Sequence, residues 1–131
     1  VELTAIPLRP LRRHLLLSAP LAVRQRAGWV WDLSRGLYLR PEAPGLLLCA
    51  CDEELRPAED TRPADDAAAR LAEVVARAAP GLAGLAVARV WAGLRTFAPD
   101  RRFVVGRDPL APGAVWAAGL GGHGLTAGLA V

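Results

Sequence analysis

Two short segments near the carboxyl end of the sequence carry residue types from which a binding site could be built. The first is GLGGHGLT, Gly119–Thr126, in which three of the four residues from Gly121 to Gly124 are glycine. A backbone without Cβ atoms can approach a ligand closely, and the free N–H groups of a following helix attract negative charge. A tight strand-to-helix turn without a ligand is the alternative, and the run is not the G-x-G-x-x-G dinucleotide fingerprint.

The second segment is WAGLRTFAPD, Trp91–Asp100, in which Arg95 directly follows a predicted strand. The planar guanidinium of arginine can hold a carboxylate through two parallel hydrogen bonds. Arg95 is therefore a candidate for binding the carboxylate of a substrate. An arginine paired with an acid at the surface is the alternative explanation for the same residue.

The cysteines and histidines do not form a recognisable site. In an extended strand Cys49 and Cys51 lie on one face, about 6.5–7 Å apart, which is long for an unstrained disulfide. His14 and His123 are the only histidines, so no set of zinc ligands is assembled in sequence. We predict no metal site, and two small apolar strand residues at the cysteine positions.

The composition indicates one compact core and a basic surface. The 131 residues are 53% hydrophobic and carry a net charge of +3, and all 16 basic residues are arginine. Basic regions could attract a carboxylate or a phosphate. The sequence has no recognised RNA-binding or helix-turn-helix signature and few aromatic residues, so nucleic-acid binding is disfavoured. No apolar run reaches the roughly 20 residues of a membrane span and no signal peptide is evident, so we expect a cytoplasmic protein.

The elements that must position these segments are mainly strands. Strands are predicted at residues 9–18, 28–33, 37–41, 45–51, 85–94, 103–106 and 114–118, with a hairpin turn at 34–36 and surface loops at 52–63 and 95–102. The spacing of apolar residues changes in ADDAAARLAEVVARAA. There it matches a helix, through Leu71, Val74, Val75 and Ala78. Asp65 and Asp66 are predicted in the first turn of that helix, where its dipole favours carboxylates. Residues 124–131 are predicted to begin another helix. Strands around one helix favour a largely antiparallel sheet with a helix packed on it.

Several segments together resemble a known family. WAGLRTFAPDRRFVVGRDPLAPGAVWAAGLGGHGLTAG is similar to the closing segment of the D-amino-acid oxidase superfamily of flavoproteins, and PLRPLRRHLLL and GLYLRPEAPGLLLCACDEE resemble its substrate-domain strands. The pattern is nearest to D-arginine dehydrogenase-like and glycine oxidase-like members. The resemblance implies an α+β fold, in which residues 1–94 form part of a substrate-binding domain. Residues 95–131 would supply the strand–turn–helix piece of a FAD-binding α/β domain.

The resemblance also implies roles for individual residues. Arg95 would clamp the substrate carboxylate, and Tyr38 would hydrogen-bond the same group. A glycine carbonyl, that of Gly122, would face the substrate amine. Arg13 matches a further arginine near the pocket, although Arg12 could take that place by a one-residue slip. The turn that would line the flavin comprises Gly121, Gly122, His123, Gly124, Leu125 and Thr126.

The implied activity is FAD-dependent oxidation of a D-amino acid or a glycine-like substrate to an imine. Some relatives bind flavin covalently through a cysteine near the position of Gly93, so FAD is expected to be non-covalent here. His123 stands where tyrosine is common, and it either touches substrate or flavin or is merely exposed. The amino-terminal dinucleotide-binding half is absent from the sequence, which indicates the carboxyl-terminal part of a longer enzyme. A non-catalytic anion- or peptide-binding module without flavin is the alternative.

Overall fold

The fold is a largely antiparallel sheet with few helices. A computed structural model describes residues 2–21, 28–59 and 61–131. It contains eight strands and two α-helices among these residues: β1 Arg9–Ser18, β2 Val30–Asp32, β3 Leu37–Glu42, β4 Gly45–Cys49, β5 Glu54–Leu55, α1 Ala67–Ala78, β6 Val87–Phe97, β7 Val104–Arg107, β8 Val115–Ala118 and α2 Gly124–Ala127. A short 3₁₀ helix, Pro80–Leu82, follows α1.

The larger sheet has the strand order β2-β3-β4-β1-β5, and β6 also pairs with β1. The β1–β4, β2–β3 and β3–β4 pairs are antiparallel. A separate hairpin, also antiparallel, joins β7 to β8. This architecture is compatible with the predicted α+β class.

The described chain divides into two compact units. The helix unit comprises residues 12–54 and 61–93, and the turn unit comprises residues 2–11, 55–59 and 94–131.

The core of the helix unit explains which face of its sheet is covered. Leu71 and Val75 of α1 pack with buried leucines of the strands, because residues at helical spacing i and i+4 share one face of a helix. In β1 every second residue from Arg12 to Ser18 is buried, whereas the residues between them, Arg13, Leu15 and Leu17, are half-buried. This period of two is that of a strand with one face on a core. The strand residues of the cluster are Leu16, Leu37, Leu46 and Leu48.

Polar side chains of β1 tie the acidic segment after β4 to the sheet. Arg12 pairs with Glu54 at 2.5 Å, and its Nη1 donates to the carbonyl of Arg62 at 2.9 Å. His14 Nδ1 bonds the Asp52 carboxylate, and its Nε2 accepts the N–H of Ala64 at 3.0 Å. This pattern assigns the proton of a neutral ring to Nδ1. The segment predicted as a surface loop at 52–63 is therefore tied to β1 by part-buried hydrogen bonds and contains β5.

Some predicted boundaries were wrong for identifiable reasons. The strand predicted at 85–94 runs from Val87 to Phe97, so Arg95 lies inside a strand rather than after it. The chain stays extended there because the Thr96 carbonyl accepts the N–H of Gly121 at 3.0 Å and Phe97 forms a bridge with Leu120. Such tertiary pairing cannot be read from local sequence.

Two predictions about the helices also need correction. Asp66 is the N-cap of α1 rather than a first-turn residue, and that turn contains no acid. Asp65 precedes it, also outside the helix. The helix predicted to start at residue 124 ends at Ala127. A helix of one turn has only a small dipole to attract negative charge.

Asp108 organises the loop between β7 and β8 in the turn unit. This buried carboxylate accepts hydrogen bonds from the backbone and hydroxyl of Thr4 at 2.9 and 3.0 Å. It also accepts the indole N–H of Trp116 at 2.6 Å and the N–H groups of Leu110 and Ala111 at 2.8 and 3.0 Å. Burial opposes ionisation, but the hydrogen bonds from Thr4, Trp116 and Leu110 outweigh it and lower the pKa of Asp108 to about 2.

Acid should therefore destabilise the turn unit through Asp108. Because its folded pKa lies below its ordinary value of 3.8, the stabilisation is present above about pH 4 and is lost as the pH falls towards 2. Thermal unfolding followed by tryptophan fluorescence should show the melting temperature falling across this window. Asp108→Asn should be less stable than the unsubstituted chain at pH 7, and its melting temperature should fall less on acidification. Asp100→Asn, an exposed position in the same unit, should behave as the unsubstituted chain. An equal pH response in Asp108→Asn would contradict this assignment.

Candidate functional site

The glycine turn of the turn unit is fixed against the end of β6. Gly121 has a φ of +55°, and a Cβ there would lie 2.5 Å from Cε1 and 2.9 Å from Cδ1 of Phe97. The Phe97 ring itself is covered by the Arg101 guanidinium, 4.4 Å from its centroid. Only glycine combines this left-handed backbone with this closeness to an aromatic ring. Gly121 is therefore required by packing alone, without reference to a ligand.

Gly122 accommodates the predicted carboxylate-binding arginine. Its φ is +95°, and a Cβ there would overlap Arg95 Nη1 and lie 2.7 Å from Cζ. The Arg95 guanidinium therefore rests directly on the Gly122 backbone. Among the described residues of the turn unit, Arg95 has no hydrogen-bonding or ion-pairing partner. A half-buried cation without a carboxylate in its own unit is suited to binding an external anion.

The turn also has unused backbone donors. The N–H of Gly121 donates to the Thr96 carbonyl at 3.0 Å, and the N–H of His123 donates to the Leu120 carbonyl at 2.7 Å. Within the described part of the turn unit, the N–H groups of Gly122, Gly124 and Leu125 have no acceptor. These residues are exposed, so hydrogen-bond acceptors on a flat ligand could reach them. The residues present thus fit a group that needs close backbone approach.

The remaining residues of the predicted flavin-facing turn make local contacts. The His123 ring lies 6.0 Å from that of Phe103 between centroids, so the imidazole contacts an aromatic ring as well as being exposed. The hydroxyl of Thr126 donates to the His123 carbonyl at 3.0 Å. Leu125 is 98% exposed, which leaves its whole side chain available for a contact outside the described residues.

Tyr38 and Arg13 lie on the same face of the sheet in the helix unit. Tyr38 pairs with Cys49, and Leu17 pairs with Leu47, so strand alternation puts Arg13 and Tyr38 opposite the face covered by α1. Arg13 is occupied: its Nη2 pairs with Glu53 at 2.7 Å and its Nε donates to the Asp52 carbonyl at 3.2 Å. Arg12, its one-residue alternative, lies on the α1 side.

Sequence analysis missed the aromatic neighbours of Tyr38. Trp31 is its direct cross-strand partner in β2, and Trp29 precedes that strand. Their rings lie 6.5 and 6.4 Å from the Tyr38 ring, at interplanar angles of 87° and 82°. The alternation Trp-Val-Trp in the predicted strand, opposite a tyrosine across a hairpin, was the signal that could have found them.

The cysteines and possible metal ligands do not add to the site. Both cysteines are free. A hydrogen bond with Cys51 and then burial raise the pKa of the Cys49 thiol, so Cys49 is a poor nucleophile. In the part of the chain that the structure describes, no group of three or more His, Cys, Asp or Glu residues could hold a metal ion. The same residues include no helix that is long and apolar enough to cross a membrane.

Comparison with known proteins identifies the family. The family model described as DAO, FAD dependent oxidoreductase, matches residues 1–131. The chain belongs to this family. A search of curated proteins gives no significant match.

Solved structures of this family share the fold. L-Proline dehydrogenase from P. horikoshii is 25% identical, with a TM-score of 0.78 over 92% of this chain and 33% of the dehydrogenase. Glycine oxidase from Geobacillus kaustophilus is 20% identical, with a TM-score of 0.73 over 92% of this chain and 32% of the oxidase. Iminodiacetate oxidase from a Chelativorans species is 21% identical, with a TM-score of 0.74 over 95% of this chain and 34% of the oxidase. The chain thus spans about a third of the length of these DAO-family structures.

The contact between Gly122 and Arg95 can be tested by comparing two glycines with nearly the same backbone angle. Gly122 has a φ of +95°, and Gly113 has a φ of +96° with open space around it. Alanine at either position should reduce the free energy of unfolding by a similar amount, about 1–2 kcal/mol, because the strained backbone is common to both. Only Gly122→Ala should displace the flexible Arg95 side chain. The Arg95 Nε–Hε resonance in NMR spectra should shift in Gly122→Ala and stay in place in Gly113→Ala. An unmoved resonance in both variants would refute the contact.

Proposed function

We propose that this chain supplies substrate-binding and flavin-lining residues of a FAD-dependent enzyme that oxidises an amino acid to an imine. The supporting observation is the Arg95 guanidinium resting on the Gly122 peptide. An α-amino acid carries its carboxylate and its amine on one carbon. The planar cation offers the carboxylate a matching partner, and the Gly122 peptide next to it has a carbonyl that could accept from the amine. Membership of the DAO family supports the redox chemistry.

The proposed role of Arg95 is to hold and orient the substrate. Two parallel hydrogen bonds to the carboxylate would restrict its rotation and point the Cα–H bond in one direction, which lowers the entropic part of the barrier. The Gly122 carbonyl would accept a hydrogen bond from the amine, which favours the position from which its nitrogen lone pair can form the C=N bond. Bound FAD supplies the two-electron acceptor for the hydride that leaves Cα. Water then hydrolyses the imine to a keto acid and ammonia.

The glycine turn is proposed to line the flavin. The unused N–H groups of Gly122, Gly124 and Leu125 are suited to acceptor atoms at a ring edge. His123, Gly121 and Thr126 would complete this wall of the binding site. The residues of the turn unit thus combine a substrate-binding cation with backbone donors for the cofactor. The wider FAD site of the family, including the 95–131 segment as part of a FAD-binding domain, is proposed by analogy with the DAO fold.

FAD is proposed to bind without a covalent bond. Gly93 occupies the position that resembles the covalent attachment site of some relatives, and it has no side chain to form a thioether. Acid precipitation of the flavin-loaded enzyme that contains this chain should release the yellow colour into the supernatant. Colour retained in the pellet would indicate a covalent bond and contradict the proposal.

Removing the Arg95 guanidinium should mainly weaken substrate binding. In the flavin-loaded enzyme, Arg95→Ala should raise KM sharply and lower kcat/KM by about 30- to 150-fold, or roughly 2–3 kcal/mol, the scale of a lost charged hydrogen bond. Tyr38→Phe removes one proposed hydrogen bond to the carboxylate. It should lower kcat/KM by a smaller factor than Arg95→Ala does.

Arg107→Ala is the matched control for the Arg95 variant. Arg107 is an exposed arginine in the same unit, at the end of β7, so its removal changes the net charge equally without touching the turn. Its steady-state kinetics should be unchanged. Equal kinetics for Arg95→Ala and Arg107→Ala would remove Arg95 from the site.

A further inference from the structure

The end of β4 carries two cysteines in the sequence Cys49-Ala50-Cys51. Both are thiols in the structure rather than a disulfide. Strand β4 ends at Cys49, so the extended spacing expected for this pair from the sequence does not apply. Cys51 instead has a φ of +53°, in the left-handed region that a residue with a side chain rarely adopts. The chain therefore turns at Cys51, within the helix unit.

This turn makes the two cysteine side chains neighbours. The N–H of Cys51 donates to Cys49 Sγ at 3.3 Å, and Cys51 Sγ lies 3.9 Å from the carbonyl oxygen of Cys49. A hydrogen bond also joins the two side chains. The thiols are therefore in direct contact in the folded chain, without any movement of β4.

Arg13 of β1 holds the turn in this arrangement. Its Nη2 donates to the Cys51 carbonyl at 3.5 Å, and its Nε donates to the carbonyl of the next residue, Asp52, at 3.2 Å. A left-handed backbone at a residue with a Cβ costs about 1–2 kcal/mol, and these bonds help to offset that cost. The contact between the thiols is thus maintained by the packing of two strands.

The two thiols differ in their access to solvent. Cys49 is 3% exposed, whereas Cys51 is half-buried. A small oxidant dissolved in water therefore reaches Cys51 first, because oxidation of a thiol requires access to its sulfur. The hydrogen bond with Cys51 and burial raise the pKa of the Cys49 thiol. Its position next to Cys51 compensates for this low acidity, since a reaction between them is intramolecular.

We propose that Cys49 and Cys51 form a reversible oxidation site, at which hydrogen peroxide converts the thiol pair to a disulfide. The Cys51 thiolate attacks one peroxide oxygen, the O–O bond breaks, and hydroxide leaves with the electron pair and takes up a proton. Cys49 Sγ then attacks the sulfenic sulfur of Cys51, the S–S bond forms, and the S–O bond breaks. The second hydroxide takes the Cys49 proton. Overall the thiols lose two electrons and two protons, and the peroxide is reduced to two waters.

The size of the ring suits reversible chemistry rather than a structural bridge. Only Ala50 lies between the two cysteines. The entropy that a disulfide removes from the unfolded chain grows with the length of the loop that it closes. This bond would therefore add little to the free energy of unfolding, and a thiol reductant can break it by exchange.

Peptide mapping after peroxide treatment tests the site directly. Every arginine between residues 36 and 69 precedes a proline, so trypsin should leave both cysteines on one peptide, residues 36–70. The reduced enzyme that contains this chain is treated with hydrogen peroxide, unfolded, alkylated with N-ethylmaleimide and digested. The peptide should carry two alkyl groups before peroxide, none after it, and two again after dithiothreitol. The oxidised peptide should weigh two hydrogen atoms less than the unlabelled reduced one.

Serine variants separate the roles of the two thiols. In Cys49→Ser, peroxide should leave Cys51 as a sulfenic acid that dimedone traps. In Cys51→Ser, the buried Cys49 should be oxidised about tenfold more slowly than Cys51 is in Cys49→Ser.

An arsenical probe tests the contact between the thiols in the unsubstituted enzyme, whether or not a serine variant folds. Phenylarsine oxide binds two adjacent thiols. It should protect both cysteines of the native reduced enzyme from N-ethylmaleimide. In either serine variant it should not protect the remaining cysteine.

Three results would overturn the proposal. The first is two alkyl groups retained on the peptide after a peroxide treatment that fully oxidises N-acetylcysteine in the same solution. The second is a sulfinic acid at Cys51 with Cys49 still alkylated, because the two sulfurs would then fail to react with each other. The third is a disulfide from either residue to another cysteine of the enzyme. Faster oxidation of Cys49 in Cys51→Ser than of Cys51 in Cys49→Ser would refute the order of attack.

Discussion

Packing of α1 on one face of the sheet is the constraint on which the helix unit depends. Leu71 and Val75 fill the space over Leu16, Leu37 and Leu48, and burial of this apolar area is the largest favourable term available to the unit. Because strand residues alternate between faces, this choice also decides what the other face presents. Tyr38, one position from the core residue Leu37, therefore points away from α1 and is only half-buried.

The same alternation divides the polar residues of β1 into two kinds. Arg12 and His14 lie on the buried side, where their hydrogen bonds to Glu54 and Asp52 offset the cost of leaving water. Arg12 Nε has no partner among the described residues, so the compensation there is incomplete. Arg13 lies on the open side but is paired with Glu53. The basic start of β1 therefore anchors an acidic segment, which is a structural use of charge.

Local sequence predicted the elements better than their ends or their contacts. The strand at 9–18 agrees with β1 residue for residue, because its apolar residues and its boundaries depend on short-range pattern. The end of β6 did not follow from pattern, since Thr96 and Phe97 stay extended through bonds to Gly121 and Leu120. For the candidate site, the sequence nominated Arg95 and Gly122, but their direct contact depends on a turn conformation that sequence spacing does not encode.

The contact between Arg95 and Gly122 also has a consequence for how the sequence can change over time. As long as arginine occupies position 95, any side chain at position 122 would overlap its guanidinium. Once the arginine is lost, the steric part of that restriction disappears, and only the positive φ still disfavours other residues. The two positions are therefore coupled: with arginine at position 95, a side chain at position 122 requires the guanidinium to move, and a smaller residue at position 95 removes that requirement.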